Sequence, residues 1–131
     1  MAKDILEKKR RIVYKKYNQK CAYCGIHLLY KQMQVDHITP KYRGSTQEEI
    51  SSYGLFKGTN DIDNLNPSCG SCNSSKSTFT IEKWRKELVL KEMRLMRDNS
   101  TYRILKRFEV VKVVKNQILF HFEIKNNNGR G

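Results

Sequence analysis

The apolar positions of the chain change their period from segment to segment. Ile5, Leu6, Ile12, Val13 and Tyr17 make an imperfect helical stripe, and Lys8, Lys9, Arg10, Arg11, Lys15 and Lys16 crowd the remaining faces. Asp4 ahead of Ile5, Leu6 and Glu7 resembles a capped start with carboxylates at the positive end of the helix dipole, so a helix is predicted from Asp4 to about Asn18. Leu28-Leu29-Tyr30 and Met33-Gln34-Val35 are short apolar runs that predict a small hairpin ending at Asp36 and His37, and Pro40 stops the strand. Periodicity then lapses over residues 41–64, where Gly44, Gly54 and Gly58 sit among Ser, Thr and Asn. This predicts a long loop, with one helical turn at Gln47-Glu48-Glu49-Ile50, and loops of such length usually serve function.

A helix can begin at Asn73-Ser74-Ser75-Lys76. Farther on, Ile81, Trp84, Leu88, Val89, Met93 and Met96 recur at helical spacing, and Glu82/Lys86 and Glu87/Lys91 are i, i+4 pairs in the favourable order. A long helix is predicted, its Met and Trp stripe packed into the core. Ile104, Leu105, Phe108 and Val111 fit a shorter helix. Ile118, Phe120, Phe122 and Ile124 alternate as in a strand, with a hairpin turn through Lys115-Asn116-Gln117, and residues 126–131 read as a frayed polar tail.

Composition narrows what such a chain does. Its 131 residues suit one domain, without internal repeats, in which residues 1–19 are a basic helix, 20–79 the core and 80–131 a helical and hairpin extension. No apolar run approaches the ~20 residues of a membrane span, so no membrane is expected among its partners. A net charge of +13, from 26 Lys and Arg against 13 Asp and Glu, points to a polyanion, nucleic acid first, although a well-solvated basic surface has the same composition.

The four cysteines form two C-x2-C pairs, Cys21/Cys24 and Cys69/Cys72, a spacing that suits one tetrahedral Zn²⁺ held by four thiolates. A site closed in this way has no open position, so such a zinc holds the fold and leaves chemistry to other groups. The alternative is two disulfides, which needs an oxidising compartment. The first 20 residues are charged throughout and lack the apolar run of ~7–15 residues of a secretory signal, so a cytoplasmic setting is expected.

Cys-x2-Cys, then Asp36-His37-Ile38-x-Pro40, then Asn64-Leu65-x-Pro67-x-Cys69-x2-Cys72-Asn73-x2-Lys76 resembles the zinc-containing HNH endonucleases of the ββα-metal fold, bacterial and phage types above all. The resemblance covers roughly residues 20–78. It implies an α+β fold: a small ββα-metal core with a four-cysteine structural zinc, flanked by an N-terminal helix and by C-terminal helices plus a short β-hairpin. It also implies metal-dependent hydrolysis of DNA phosphodiester bonds, the DNA double-stranded, leaving a 3′-hydroxyl and a 5′-phosphate. Carried over residue by residue, His37 is the general base, Asp36 a ligand of the catalytic cation, and Asn64 the asparagine that braces the loop behind His37. Asn73 stands where most members have histidine, as in the asparagine-ended variant, and would ligate through its amide oxygen.

These residue types suit the reaction. A neutral imidazole can take a proton from water, and a divalent cation on oxygen ligands can neutralise phosphoryl charge. Asp36 with Asn73 is an all-oxygen pair, which favours Mg²⁺ or Mn²⁺. Lys8, Arg10, Arg11, Lys41, Arg43 and Lys76 are the candidate phosphate contacts, each with a solvated-surface alternative. Cutting both strands would take a homodimer. A zinc-organised nucleic-acid-binding module without catalysis is the alternative function, but it has no use for Asp36, His37 and Asn73 together. His27 and His121 read as bystander or structural histidines, and Asp61 and Asp63 as turn residues.

Overall fold

The computed structural model describes residues 5–114 and 117–128 of the chain. In order it runs through helix α1 (Glu7–Lys15), strand β1 (Gln34–His37), helix α2 (Gln47–Ser51), strand β2 (Leu65–Ser68), then helices α3 (Gly70–Lys76), α4 (Ile81–Asp98), α5 (Ser100–Arg107) and α6 (His121–Asn128). The fold is α+β, a small two-stranded antiparallel sheet clasped by helices.

α1 starts at Glu7 behind Leu6, without a side-chain cap; Asp4, the expected cap, lies outside the described residues. The helix stays attached because its cations donate to core carbonyls. Arg10 Nη2 reaches Tyr30 O (3.0 Å) and Met33 O (2.6 Å), and Lys16 Nζ reaches Ile62 O (2.9 Å) and Leu65 O (2.6 Å). Val13, fully buried, is its apolar anchor.

The expected local hairpin does not form. Tyr30–Gln32 is a single 3₁₀ turn, and β1 pairs instead with β2 in the register Gln34↔Ser68, Val35↔Pro67, Asp36↔Asn66 and His37↔Leu65. Both strands are short, β2 buried along its length and β1 at Val35 and Asp36, and their pairing comes from the tertiary fold rather than from a turn. Between them the loop carries α2 where a helical turn was expected, capped by Thr46, whose Oγ1 accepts from Glu49 N.

α4 is the expected long helix, but only its first turns meet the core. Trp84 is buried and Ile81 and Leu88 pack on the core cluster, while Val89 and Met93 are exposed, as are Leu90 and Leu95. α5 folds back on α4 through Glu92, which accepts from Tyr102 Oη (3.0 Å) and pairs with Lys106 (2.8 Å).

The C-terminal strand is replaced by a helix. Lys115 and Asn116 of the expected hairpin lie outside the described residues, as does the tail at 129–131; residues 121–128 form α6. Its first N–H groups, which no helix can satisfy internally, are taken by the core: His121 N donates to Tyr23 O (3.0 Å) and Phe122 N to Ala22 O (2.7 Å). Glu123 Oε1 accepts from Phe120 N (2.9 Å), and its carboxylate pairs with Arg85 (2.6 Å). Phe120 thereby stacks on Trp84 with centroids 4.6 Å apart, and Tyr23 meets Trp84, Phe120 and Phe122 edge-on at 5.1 to 5.8 Å.

Candidate active site and zinc centre

Two tight turns bring the cysteines together. Gly25 follows Cys24 at φ +80°, a conformation that side chains rarely adopt, and closes the first turn by donating to Cys21 O (3.0 Å). Cys69 caps α3, its Sγ accepting from Cys72 N at 3.3 Å. The four Sγ atoms all lie within 4.8 Å of one another, and Cys24 and Cys69 are 3.9 Å apart. Tetrahedral Zn–S bonds of about 2.3 Å put sulfurs about 3.8 Å apart, so the cluster fits zinc. Tyr23 N and Cys69 N both donate to Cys21 Sγ (3.4 Å each), which favours thiolate. Hydrogen bonding from Cys72 pushes the Cys21 thiol down to about 4, while Cys72 itself is pushed up by the same contact and Cys24 by burial. Four sulfurs so close carry four negative charges only around a cation.

Asp36 and His37 end β1 at the far side of the ladder. Asp36 is buried, and its Oδ2 accepts from Tyr23 Oη (2.5 Å) and faces Lys76 Nζ at 3.1 Å. Burial pushes the Asp36 carboxyl above its usual range, against the pull of Lys76 and Tyr23. The Tyr23 hydroxyl, raised by burial and by that carboxylate, stays protonated as the donor. Lys76 is fully buried and also donates to His37 O at 2.9 Å. Neither a phosphate contact nor a solvated lysine, it is an internal counter-ion. Its ammonium lies between Asp36 Oδ2 and His37 O, so both oxygens have a cationic donor inside the protein.

His37 Nε2 lies 2.7 Å from Asn60 Oδ1. Asn64 works on the segment behind it: Oδ1 accepts from Thr39 N (2.9 Å), and Nδ2 donates to Thr39 O (3.1 Å) and Thr59 O (2.8 Å). Asn73 donates from Nδ2 to Gln34 Oε1 at 2.5 Å. Gln34 and Asp36 share one face of β1, and α3 covers that face with Asn73 at Gln34 and Lys76 at Asp36. Asp36, His37, Pro40, Lys41, Tyr42, Arg43, Ser45, Ser77 and Thr78 line a cavity of about 390 Å³.

Of the other expected basic contacts, Lys41 and Arg43 thus flank His37, and Lys8 and Arg11 lie exposed on α1, with Arg11 paired to Glu7 at 3.3 Å. Arg10 holds core carbonyls instead, its guanidinium over the Tyr30 ring at 5.0 Å. His27 is exposed, in an isolated bridge with Lys20, and His121 packs edge-on against Tyr17 at 6.3 Å. Sequence reasoning missed Tyr23 and Asn60, whose partners lie 13 and 23 residues away; Tyr23 had one signal, its place between two zinc-type cysteines.

The family model for HNH endonuclease matches residues 21–79. The chain is 39% identical over 69 residues to the protein named "SPbeta prophage-derived putative HNH endonuclease YoqL" of Bacillus subtilis (strain 168), a match that spans 52% of this chain and 27% of that protein. Among solved structures it is similar to a type II-C Cas9 enzyme from Actinomyces naeslundii, at TM-score 0.48 and 26% identity over 61% of this chain and 8% of the enzyme. No described helix is long and apolar enough to cross a membrane.

Proposed function

We propose, from the premise that residues 21–79 are a zinc-containing HNH endonuclease domain, that the protein hydrolyses phosphodiester bonds of double-stranded DNA, leaving a 3′-hydroxyl and a 5′-phosphate. One observation carries this reading: Asp36 and His37, side by side at a strand end, open on a cavity of about 390 Å³ that Lys41 and Arg43 also line. That cavity offers a base, a carboxylate and two cations to one phosphate.

The steps assigned to the chain's own groups are few. Lys41 and Arg43 hold the phosphodiester by charge-assisted hydrogen bonds. His37 takes a proton from the attacking water, a role worth roughly 10²–10⁴ in rate for a positioned base. Asp36 and the Asn73 amide oxygen would hold a divalent cation, Mg²⁺ or Mn²⁺, which when bound supplies charge neutralisation on the phosphoryl and leaving oxygens. Asn73 suits this because its Nδ2 is engaged by Gln34, which keeps the oxygen for a cation. Tyr23 and Lys76 orient the Asp36 carboxylate. Ser77 and Thr78 complete the polar wall.

The test is supercoiled plasmid incubated with zinc-loaded protein and Mg²⁺ or Mn²⁺. Nicked or linear products that disappear on addition of a chelator of the divalent cation support the reading. Retarded but uncut plasmid would instead identify a binding module.

A further inference from the structure

We propose that Asn60 is the positioning residue of His37, selecting the imidazole tautomer that leaves Nδ1 as the base. The kinetic part of this inference rests on the nuclease reading above; the assignment of the proton does not. A neutral imidazole has one N–H and one bare nitrogen, and a side-chain amide oxygen can only accept. Asn60 Oδ1, at 2.7 Å from His37 Nε2, therefore requires the proton to sit on Nε2 and leaves the lone pair on Nδ1. The opposite amide orientation would set an NH₂ against Nε2 and move the proton to Nδ1, so the identity of the atom facing the ring decides which nitrogen is basic.

The segment bearing Asn60 is built to hold that contact. Gly58 N donates to Pro40 O (2.8 Å), and a Cβ at Gly58 would lie 1.7 Å from Thr39 O, so the loop can lie against the chain behind His37 only with glycine there. Asn64 Nδ2 ties Thr59, the neighbour of Asn60, and Thr39, two residues past His37, to one side chain. Asp61 O accepts from Asn64 N at 2.8 Å, closing the turn on the other flank. The Lys9 ammonium of α1 donates to Asn60 O. The base and its partner thus come from two ends of a long loop that are pinned to each other by Asn64, and the loop residue is pinned in turn to α1. Held from both flanks, the amide has little freedom to lose when it orients the ring, which is the condition for positioning to raise a rate.

The test uses the full zinc-loaded chain, ¹⁵N-labelled at histidine and without added divalent cation, with His37 assigned by its absence in His37→Ala. Asn60→Leu removes the acceptor at similar bulk, Asn60→Ala removes it with less bulk should Leu impair folding, and Asn60→Asp keeps an oxygen in place. The expected spectrum of the parent has a protonated Nε2 whose N–H persists and a bare Nδ1; Asn60→Asp keeps this, and Asn60→Leu or Asn60→Ala loses the N–H to solvent exchange. In plasmid cleavage Asn60→Leu should lower kcat about tenfold or more with KM nearly unchanged, and Asn60→Asp should recover most of that loss. A parent His37 with bare Nε2, or an Asn60→Leu protein with the parent's spectrum or kcat, overturns the proposal. Absence of cleavage by the parent overturns the nuclease reading instead, and the spectra still decide the Asn60 contact.

Discussion

At the Gln34–Ser68 end of the two-stranded ladder four sulfurs converge, while at the His37–Leu65 end the Asp36 carboxylate, the His37 imidazole and Lys41 line one cavity. Helix α3 joins the two, since Cys69 caps its start and Lys76 in its last turn meets Asp36. The ends differ in how they are assembled. The sulfurs come from two turns of four residues each, with backbone N–H groups of the same turns aimed at them. The cavity end draws on side chains up to 40 residues apart, held by hydrogen bonds that each contribute about a kilocalorie. One end is a cluster of sulfurs spaced to be tied by a single metal ion, and the other is a surface set on the same helix and ladder.

The strongest way to break this contrast is to untie the sulfur cluster. Cys69→Ser removes a zinc ligand and the cap of α3 together. With structural zinc worth roughly 10 kcal/mol in small metallo-domains, the variant should be unfolded at room temperature and bind no stoichiometric zinc, as circular dichroism and metal analysis would read. His37→Ala, at the other end, should cut plasmid roughly 10²–10⁴-fold more slowly while melting within about 1 kcal/mol of the parent. A Cys69→Ser protein that melts like the parent, or a His37→Ala protein with full activity, would erase the division.

Between these extremes stands Lys76, the link. Its ammonium, fully buried, faces a carboxylate that is almost as buried. Lys76→Met leaves Asp36 inside with only the Tyr23 hydroxyl, an imbalance that costs roughly 3–5 kcal/mol in comparable buried pairs. The variant should melt well below the parent. If Asp36 also receives the divalent cation, excess Mn²⁺ should restore more stability to Lys76→Met than it adds to the parent, because it replaces the missing positive charge. Equal stabilisation of both proteins would detach Asp36 from the cation.

What was legible beforehand follows the same divide. The thiol cluster could be read because zinc ligands recur at short spacing, and Asp36-His37 through the resemblance of Asp-His-Ile-x-Pro, set between the two cysteine pairs, to the HNH endonucleases. The partner of β1 could not be read locally. Val35 pairs with Pro67, a residue that ordinarily argues against a strand, and the shorter connection through Tyr30 looked sufficient. Lys76 reads as a phosphate contact or a solvated lysine because its counter-charge lies 40 residues earlier, and Arg10 as a phosphate contact because the carbonyls it holds belong to other segments. The alternation of Ile118, Phe120 and Phe122 was real, yet its cause is a chain that packs Phe120 on Trp84 and then starts a helix on the carbonyls of Ala22 and Tyr23. Period 2 over four apolar residues is too short to separate those cases.

The smallest expected effect concerns the choice of cation at the cavity end. Asp36 at the cavity end, and Asn73 farther back along α3 beside Gln34, would offer a cation only oxygen, unlike the four sulfurs, so the two sites should prefer different metals. Mg²⁺ or Mn²⁺ should support cleavage best in the parent. Asn73→His puts imidazole, a ligand suited to borderline transition metals, in place of an amide oxygen, and also removes the donor that holds Gln34. The ratio of Ni²⁺- or Co²⁺-supported to Mg²⁺-supported nicking should therefore rise by about tenfold, while zinc content stays at the parent value because the thiol cluster is untouched. A metal panel on both proteins, scored by plasmid nicking beside metal analysis, reads both quantities. Parent activity greatest with Ni²⁺ and negligible with both Mg²⁺ and Mn²⁺ would sink the oxygen-site argument, since a cation held by a carboxylate and an amide has no reason to favour the softer ion.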